Sequence, residues 1–156
     1  MQKIPQNVEV IIHHLYIKIE YGLIALTDIA IHGADGVSVS APEIAQRENI
    51  SHKYLEQILM LLRQAGFIKA QKGLRGGYAL VCSPDKITLY DVLNALDKSI
   101  LADMDTKNKA ELGVAVNECF WEKINGNLSS YTKNLTLADF AMQCRDASGT
   151  WDMYVI

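Results

Sequence analysis

The stretch from Ser40 to Gln64 constrains this chain most, because few folds accommodate it. Ser40 is followed three residues later by Glu43, the spacing at which a hydroxyl and a carboxylate cap a helix's first turn reciprocally. The helix so started is predicted from Ala41 to about Glu48. Asn49 and Ile50 leave room only for a tight connection, and Ser51 is a second N-cap candidate. The helix it opens is predicted to run through Gln64, with Leu55, Ile58, Leu59 and Leu62 facing inward and Gly66 as the stop. A short helix and a longer one joined by about three residues outline a helix-turn-helix.

The flanking sequence extends that outline. Phe67–Gln71 and Tyr78–Val81 are strand-like runs on either side of Lys72-Gly-Leu-Arg-Gly-Gly77, whose three glycines permit a tight turn, so a β-hairpin wing is predicted. Upstream, Leu23, Leu26, Ala30 and Ile31 predict an amphipathic helix over Tyr16–Ile31, preceded by an extended segment and closed by Gly33. Val37–Val39 is a short strand candidate. Downstream, Thr88 and Asp91 cap a helix carrying Leu89, Val92, Leu93 and Leu96, and Ser99–Asn108 reads as a polar connection. The longest helix is predicted from Ala110 to about Tyr131, where Leu112, Val116, Phe120, Ile124 and Leu128 recur every four residues. A stripe so distant from the core is expected to pair antiparallel with its copy in a second subunit. Thr136–Asp139 starts one more capped helix, and Gln143–Ile156 has no clear period.

The fold class is therefore mainly α with a small β-hairpin: a winged helix-turn-helix plus a long C-terminal dimerisation helix. Its 156 residues suffice for one small domain and an oligomerisation element. The net charge of −3 is unevenly spread: Glu43–Leu80 carries +3 and the remainder −6. Local patches rather than totals set phosphate affinity, so the basic segment is a candidate contact with nucleic acid. The apolar run Val8–Ile12 is too short to cross a bilayer and has no cleavage site after it, so a cytoplasmic protein away from membranes is expected. Cys82, Cys119 and Cys144 are odd in number and lack metal-type spacing, which argues against a disulfide framework or structural zinc.

In a helix-turn-helix the first residues of the second helix reach base edges in the major groove. Here they are Ser51, His52, Lys53, Tyr54, Glu56 and Gln57. Lys53 could donate to guanine, Gln57 could pair with adenine, and Glu56 could accept from cytosine, while Tyr54 and Glu56 could instead pack and cap. Lys72 and Arg75 on the wing suit a phosphate backbone or a narrow minor groove. Ser40, Gly76, Gly77 and Tyr78 complete a DNA-reading surface placed between about Ser38 and Tyr78. The glycines do not follow a nucleotide-binding order. No catalytic constellation involves the four histidines, and His32 suits a helix C-terminus. An enzyme is not expected. Cys119, beside Phe120 and Trp121, reads as a small buried hydrophobe, with a reactive thiol as the alternative.

The runs I-S-H-K-Y-L-E-Q-I-L, A-G-F-I, K-G-L-R-G-G-Y-A-L and I-T-L-Y-D-V-L-N-A-L resemble the Rrf-two type family of bacterial transcription regulators. The resemblance spans about Tyr16–Asp97 and resumes near Leu135–Phe140. It implies a dimeric winged helix on a roughly palindromic duplex operator, with Ser51, Lys53 and Glu56 at base-reading positions and Lys72 as the wing cation. The chain then divides into an N-terminal extension (1–15), the DNA-binding domain (16–98), a dimerisation helix region (99–142) and a tail (143–156). Many members hold an iron–sulfur cluster through three cysteines after the position of Asp97, yet Lys98–Glu118 contains none here. Without those ligands no cofactor is expected, and the signal falls to a small molecule, a partner protein, or oxidation of Cys82 or Cys119. Two alternatives are a sensor with atypical, intersubunit ligands and a winged-helix protein-interaction module that does not bind DNA.

Overall fold

The computed structural model describes residues 6–149, with side chains from residue 16 onward; the last seven residues of the aperiodic tail lie outside that range. Helix α1 (Gln6–His32) begins ten residues before Tyr16, so residues 6–15 are helical and not the extended entry expected there. Neither Gly nor Pro occurs between Gln6 and Tyr16 to stop a helix from propagating. Ala25, Leu26 and Ile29 form its inner face and are at most 1% exposed.

Helices α2 (Ala41–Glu48) and α3 (His52–Gln64) form the helix-turn-helix. The Ser40–Glu43 capping box forms as its spacing requires. Asn49 turns the chain in the left-handed conformation, and Ile50 is buried in the bend. Ser51 occupies the N-cap of α3, but its hydroxyl makes no capping bond, contrary to the expectation. Its carbonyl accepts from the Leu55 amide at 2.9 Å instead.

Strands β1 (Ile68–Gln71) and β2 (Gly77–Leu80) pair antiparallel, with Ile68 opposite Leu80 and Gln71 opposite Gly77. Val39 adds a short third rung: its amide and carbonyl bond those of Tyr78, each at 2.8 Å. This close approach demands glycine at position 77, where a Cβ would lie 2.5 Å from the Val39 carbonyl oxygen.

Helix α4 (Leu89–Leu96) is capped by Thr88 and buries Leu89, Val92, Leu93 and Leu96. The long helical stretch then comes as α5 (Glu111–Val116), a π-helical turn (Asn117–Trp121) and α6 (Glu122–Lys133). A four-residue apolar repeat drifts about 40° per step around a 3.6-residue helix. The wider π turn takes up part of that drift and keeps the stripe on one side. Helix α7 (Leu137–Ser148) follows from the Thr136–Asp139 capping box and continues well beyond Gln143, where the sequence showed no period. It returns Leu137, fully buried, to the core built by α1, α3 and α4. Amide bonds Leu89→Leu135 (2.9 Å) and Leu137→Ile87 (2.8 Å) tie the ends of α4 and α7 together.

Candidate nucleic-acid interface

Helix α3 divides its residues cleanly. Leu55, Ile58, Leu59 and Leu62 are at most 1% exposed, whereas Ser51, His52, Lys53, Glu56 and Gln57 face solvent. Lys53, Glu56 and Gln57 follow i, i+3, i+4 spacing and share one face. His52 Nδ1 lies 3.8 Å from a Glu56 carboxylate oxygen, so these two side chains lean toward each other along the helix. Tyr54 does not join them. It is half-buried and packs edge-on against Tyr21 of α1 with ring centroids 5.5 Å apart, and burial pushes its phenol up.

Ser40 is half-buried, and its hydroxyl is engaged with Glu43: it donates to the carboxylate at 2.6 Å and accepts from the Glu43 amide at 3.4 Å. The wing rises beside this helix start. Lys72 and Arg75 are exposed at its turn, where the Gly76 amide donates to the Gly73 carbonyl at 2.9 Å. Gly77 and Tyr78 are half-buried against Val39 and hold the wing to the segment leading into α2. The Ser38 hydroxyl donates to the Gln71 side-chain carbonyl at the same junction. The wing itself carries Lys69, Lys72 and Arg75 and no acid, while Asp35 lines the same shallow pocket as Lys69 at its base.

Sequence reasoning missed the clamp behind this surface. Asp28 of α1 is 2% exposed and accepts two hydrogen bonds from Arg47 of α2, at 2.9 and 2.8 Å. It also missed Leu74 at the wing tip, with a relative exposure of 109%.

The thiols are separated in the fold. Cys82 follows the wing, Cys119 lies in the π turn, and Cys144 lies on α7. Cys119 is exposed and not the buried hydrophobe expected, because its side of the helix is left uncovered; Cys144 is half-buried, and desolvation pushes its thiol up. Among the described residues no three His, Cys, Asp or Glu side chains gather as metal ligands. Within one protomer the three thiols do not converge as the ligands of an iron–sulfur cluster would. Among the described residues no helix is long and apolar enough to cross a membrane.

A helix-turn-helix with an exposed polar second helix and a cationic wing defines a winged-helix, DNA-binding transcription regulator. The chain matches the Rrf2 family, described as an iron-dependent transcriptional regulator, over residues 15–143, and it belongs to that family. It is similar to the protein rrf2 of Nitratidesulfovibrio vulgaris, with 36% identity over 131 residues covering 82% of this chain and 85% of that one. It is also similar to the HTH-type regulator IscR of Aliivibrio salmonicida, 32% identical over 76% of this chain and 71% of that one. Among solved structures it resembles CymR, the global cysteine regulator of B. subtilis, with a TM-score of 0.70, 29% identity, and coverage of 92% and 98% of the two chains. The IscR of T. potens superposes with a TM-score of 0.67 at 29% identity, over 94% and 90%. These relatives are regulators, not enzymes.

Proposed function

We propose that this protein is a cytoplasmic repressor that binds a palindromic duplex operator as a homodimer. The observation that carries the reading is the joint presentation of two surfaces: the solvent face of α3, led by Lys53, Glu56 and Gln57, and the acid-free wing with Lys72 and Arg75. The first surface has the donors and acceptors that read base edges in a major groove. The second supplies charge for phosphates.

A two-fold dimer would present two such units to two half-sites, which is why the operator is expected to be palindromic. The exposed stripe on α5 and α6 is the surface that supports dimerisation: Leu112, Val116, Phe120 and Ile124 are 76%, 48%, 52% and 46% exposed. The separated thiols support a signal other than a three-thiolate cluster. Our reading assigns that signal to a small molecule, a partner protein, or oxidation at exposed Cys82 or Cys119.

The test is selection of operators from random duplexes by the full-length protein, followed by titrations of Lys53→Ala and Lys72→Ala across salt concentrations. A palindromic consensus is expected, with each variant binding more weakly and the log–log salt slope falling by about one for each phosphate that is no longer neutralised. Unchanged affinity in both variants overturns the surface named here. Failure to enrich any duplex favours a protein-interaction module.

A further inference from the structure

Leu74 is the least covered apolar side chain in the described structure, and its surroundings narrow what it can touch. It sits at the outermost turn of the wing, between Lys72 and Arg75. Gly73, just before it, has φ +116°, a conformation side chains rarely allow. A Cβ on Gly76, just after Arg75, would lie 2.6 Å from the Gln71 carbonyl oxygen. Only glycine fits both places, so the tip is a thin prong of backbone from which Leu74 and Arg75 project.

A single exposed leucine is ordinary on a protein surface. One held at the apex of a slender, acid-free hairpin between two cations is a more specific arrangement. It complements a surface that is anionic at its walls and apolar within. The minor groove of duplex DNA offers both: phosphates line its edges, deoxyribose carbons form its inner walls, and apolar base faces become available once a step is opened, in a groove about 6 Å wide. Glycine at both positions adds no side chain to the width of the prong.

We propose that Leu74 is a wedge that enters the minor groove and partly separates a stacked base step, with Lys72 and Arg75 holding the flanking phosphates. The wedge rests on the reading that α3 and the wing bind duplex DNA. Apolar side chains inserted in this way kink the duplex toward the major groove. The step most easily opened is pyrimidine–purine, so Leu74 makes the protein select TA or CA steps beneath each wing without a hydrogen bond to either base.

The experiment uses the full-length protein and an operator selected from random duplexes, with 2-aminopurine substituted at each adenine in turn. Wild-type binding is expected to raise the fluorescence of the probe at one step in each half-site, as that base loses its stacking. Leu74→Ala keeps both wing cations, and Leu74 has no part in the core, so the variant should fold and bind. It is expected to leave the probe quenched, to lose about tenfold in affinity at an unchanged salt slope, and to lose the TA or CA preference. Leu74→Met should restore all three. A wild-type complex with no brightened probe, or a Leu74→Ala complex that brightens it equally, overturns the wedge. If that happens while Lys53→Ala and Lys72→Ala still weaken binding, the wedge alone fails. If no duplex is selected at all, both it and the DNA-binding reading fail.

Discussion

Arg47 donates two hydrogen bonds, at 2.9 and 2.8 Å, to the buried carboxylate of Asp28. The pair fastens the last turn of α2 to α1, just before the bend that leads into α3. Its two halves are unequally exposed, since the Arg47 side chain keeps 34% of its surface and that of Asp28 only 1%. Removing Arg47 leaves the buried carboxylate with His32, whose Nδ1 lies 3.6 Å away, as its basic neighbour, whereas removing the charge of Asp28 leaves a guanidinium that can turn to water. Arg47→Leu is therefore expected to cost about 3 kcal/mol, the lower end for breaking a buried pair. Asp28→Asn should cost about 1–2 kcal/mol. Urea unfolding of both variants at neutral pH checks the order; an Asp28→Asn penalty at or above that of Arg47→Leu contradicts it.

The Ser40–Glu43 box makes the start of α2 sensitive to acid. Hydrogen bonds from the Ser40 hydroxyl and amide hold the Glu43 carboxyl below its usual 4.5. A carboxyl lowered on folding adds stability above its unfolded value, and that stability is lost as pH falls through the folded value. Ser40→Ala is expected to cost about 1 kcal/mol at neutral pH. The gap between wild type and Glu43→Gln in denaturant midpoint should be widest near neutrality and close progressively below pH 4.5. A gap that stays constant into acid would remove Glu43 as the titrating group.

What the sequence made legible was local. The caps at Ser40, Thr88 and Thr136 act over three residues, and the wing is announced by its own glycines, so these elements stand where their residues place them. The Asp28–Arg47 clamp spans nineteen positions, and nothing beside Asp28 distinguishes it from a solvated helix acid. The third rung at Val39 depends on Tyr78, far along the chain, and two or three residues cannot declare a strand alone. The exposed face of α3 could be read, but Tyr54 could not be separated from it, because its direction is set by Tyr21 on another helix. Cys119 was misread as buried because aromatic neighbours mark a core only when something covers them.

The stripe on α5 and α6 should behave as an interface and not as a solvent face. Phe120 stacks edge-on against Trp121 with centroids 4.9 Å apart, and both are largely exposed, at 52% and 40%. Large contiguous apolar exposure is uncommon on a monomer. Phe120→Asp combined with Ile124→Asp is expected to yield a monomer in sedimentation equilibrium with its helix content retained. Operator affinity should fall by at least about tenfold, since two half-sites are no longer bound together. A double variant that still sediments as a dimer would place the interface elsewhere.

The attachment of the wing can be separated from its charge through Gly77. Here the chain passes so close to Val39 that any side chain meets the carbonyl of that residue, and neither backbone can yield without losing the paired 2.8 Å bonds. Gly77→Ala is thus expected to loosen the rung between Val39 and Tyr78, at a cost of about 1–3 kcal/mol typical of overpacking. Lys72 and Arg75 remain, but on a hairpin no longer held beside α2. Helix α3 is anchored separately through Leu55, Ile58, Leu59 and Leu62, so base preference at its positions should persist while overall affinity falls and the salt slope flattens. Hydrogen exchange checks the structural half: the amides of Val39 and Tyr78 should lose protection while those in the middle of α3 keep theirs. Equal loss at both would mean that the wing and α3 unfold as one unit and that their roles in binding cannot be separated by this substitution.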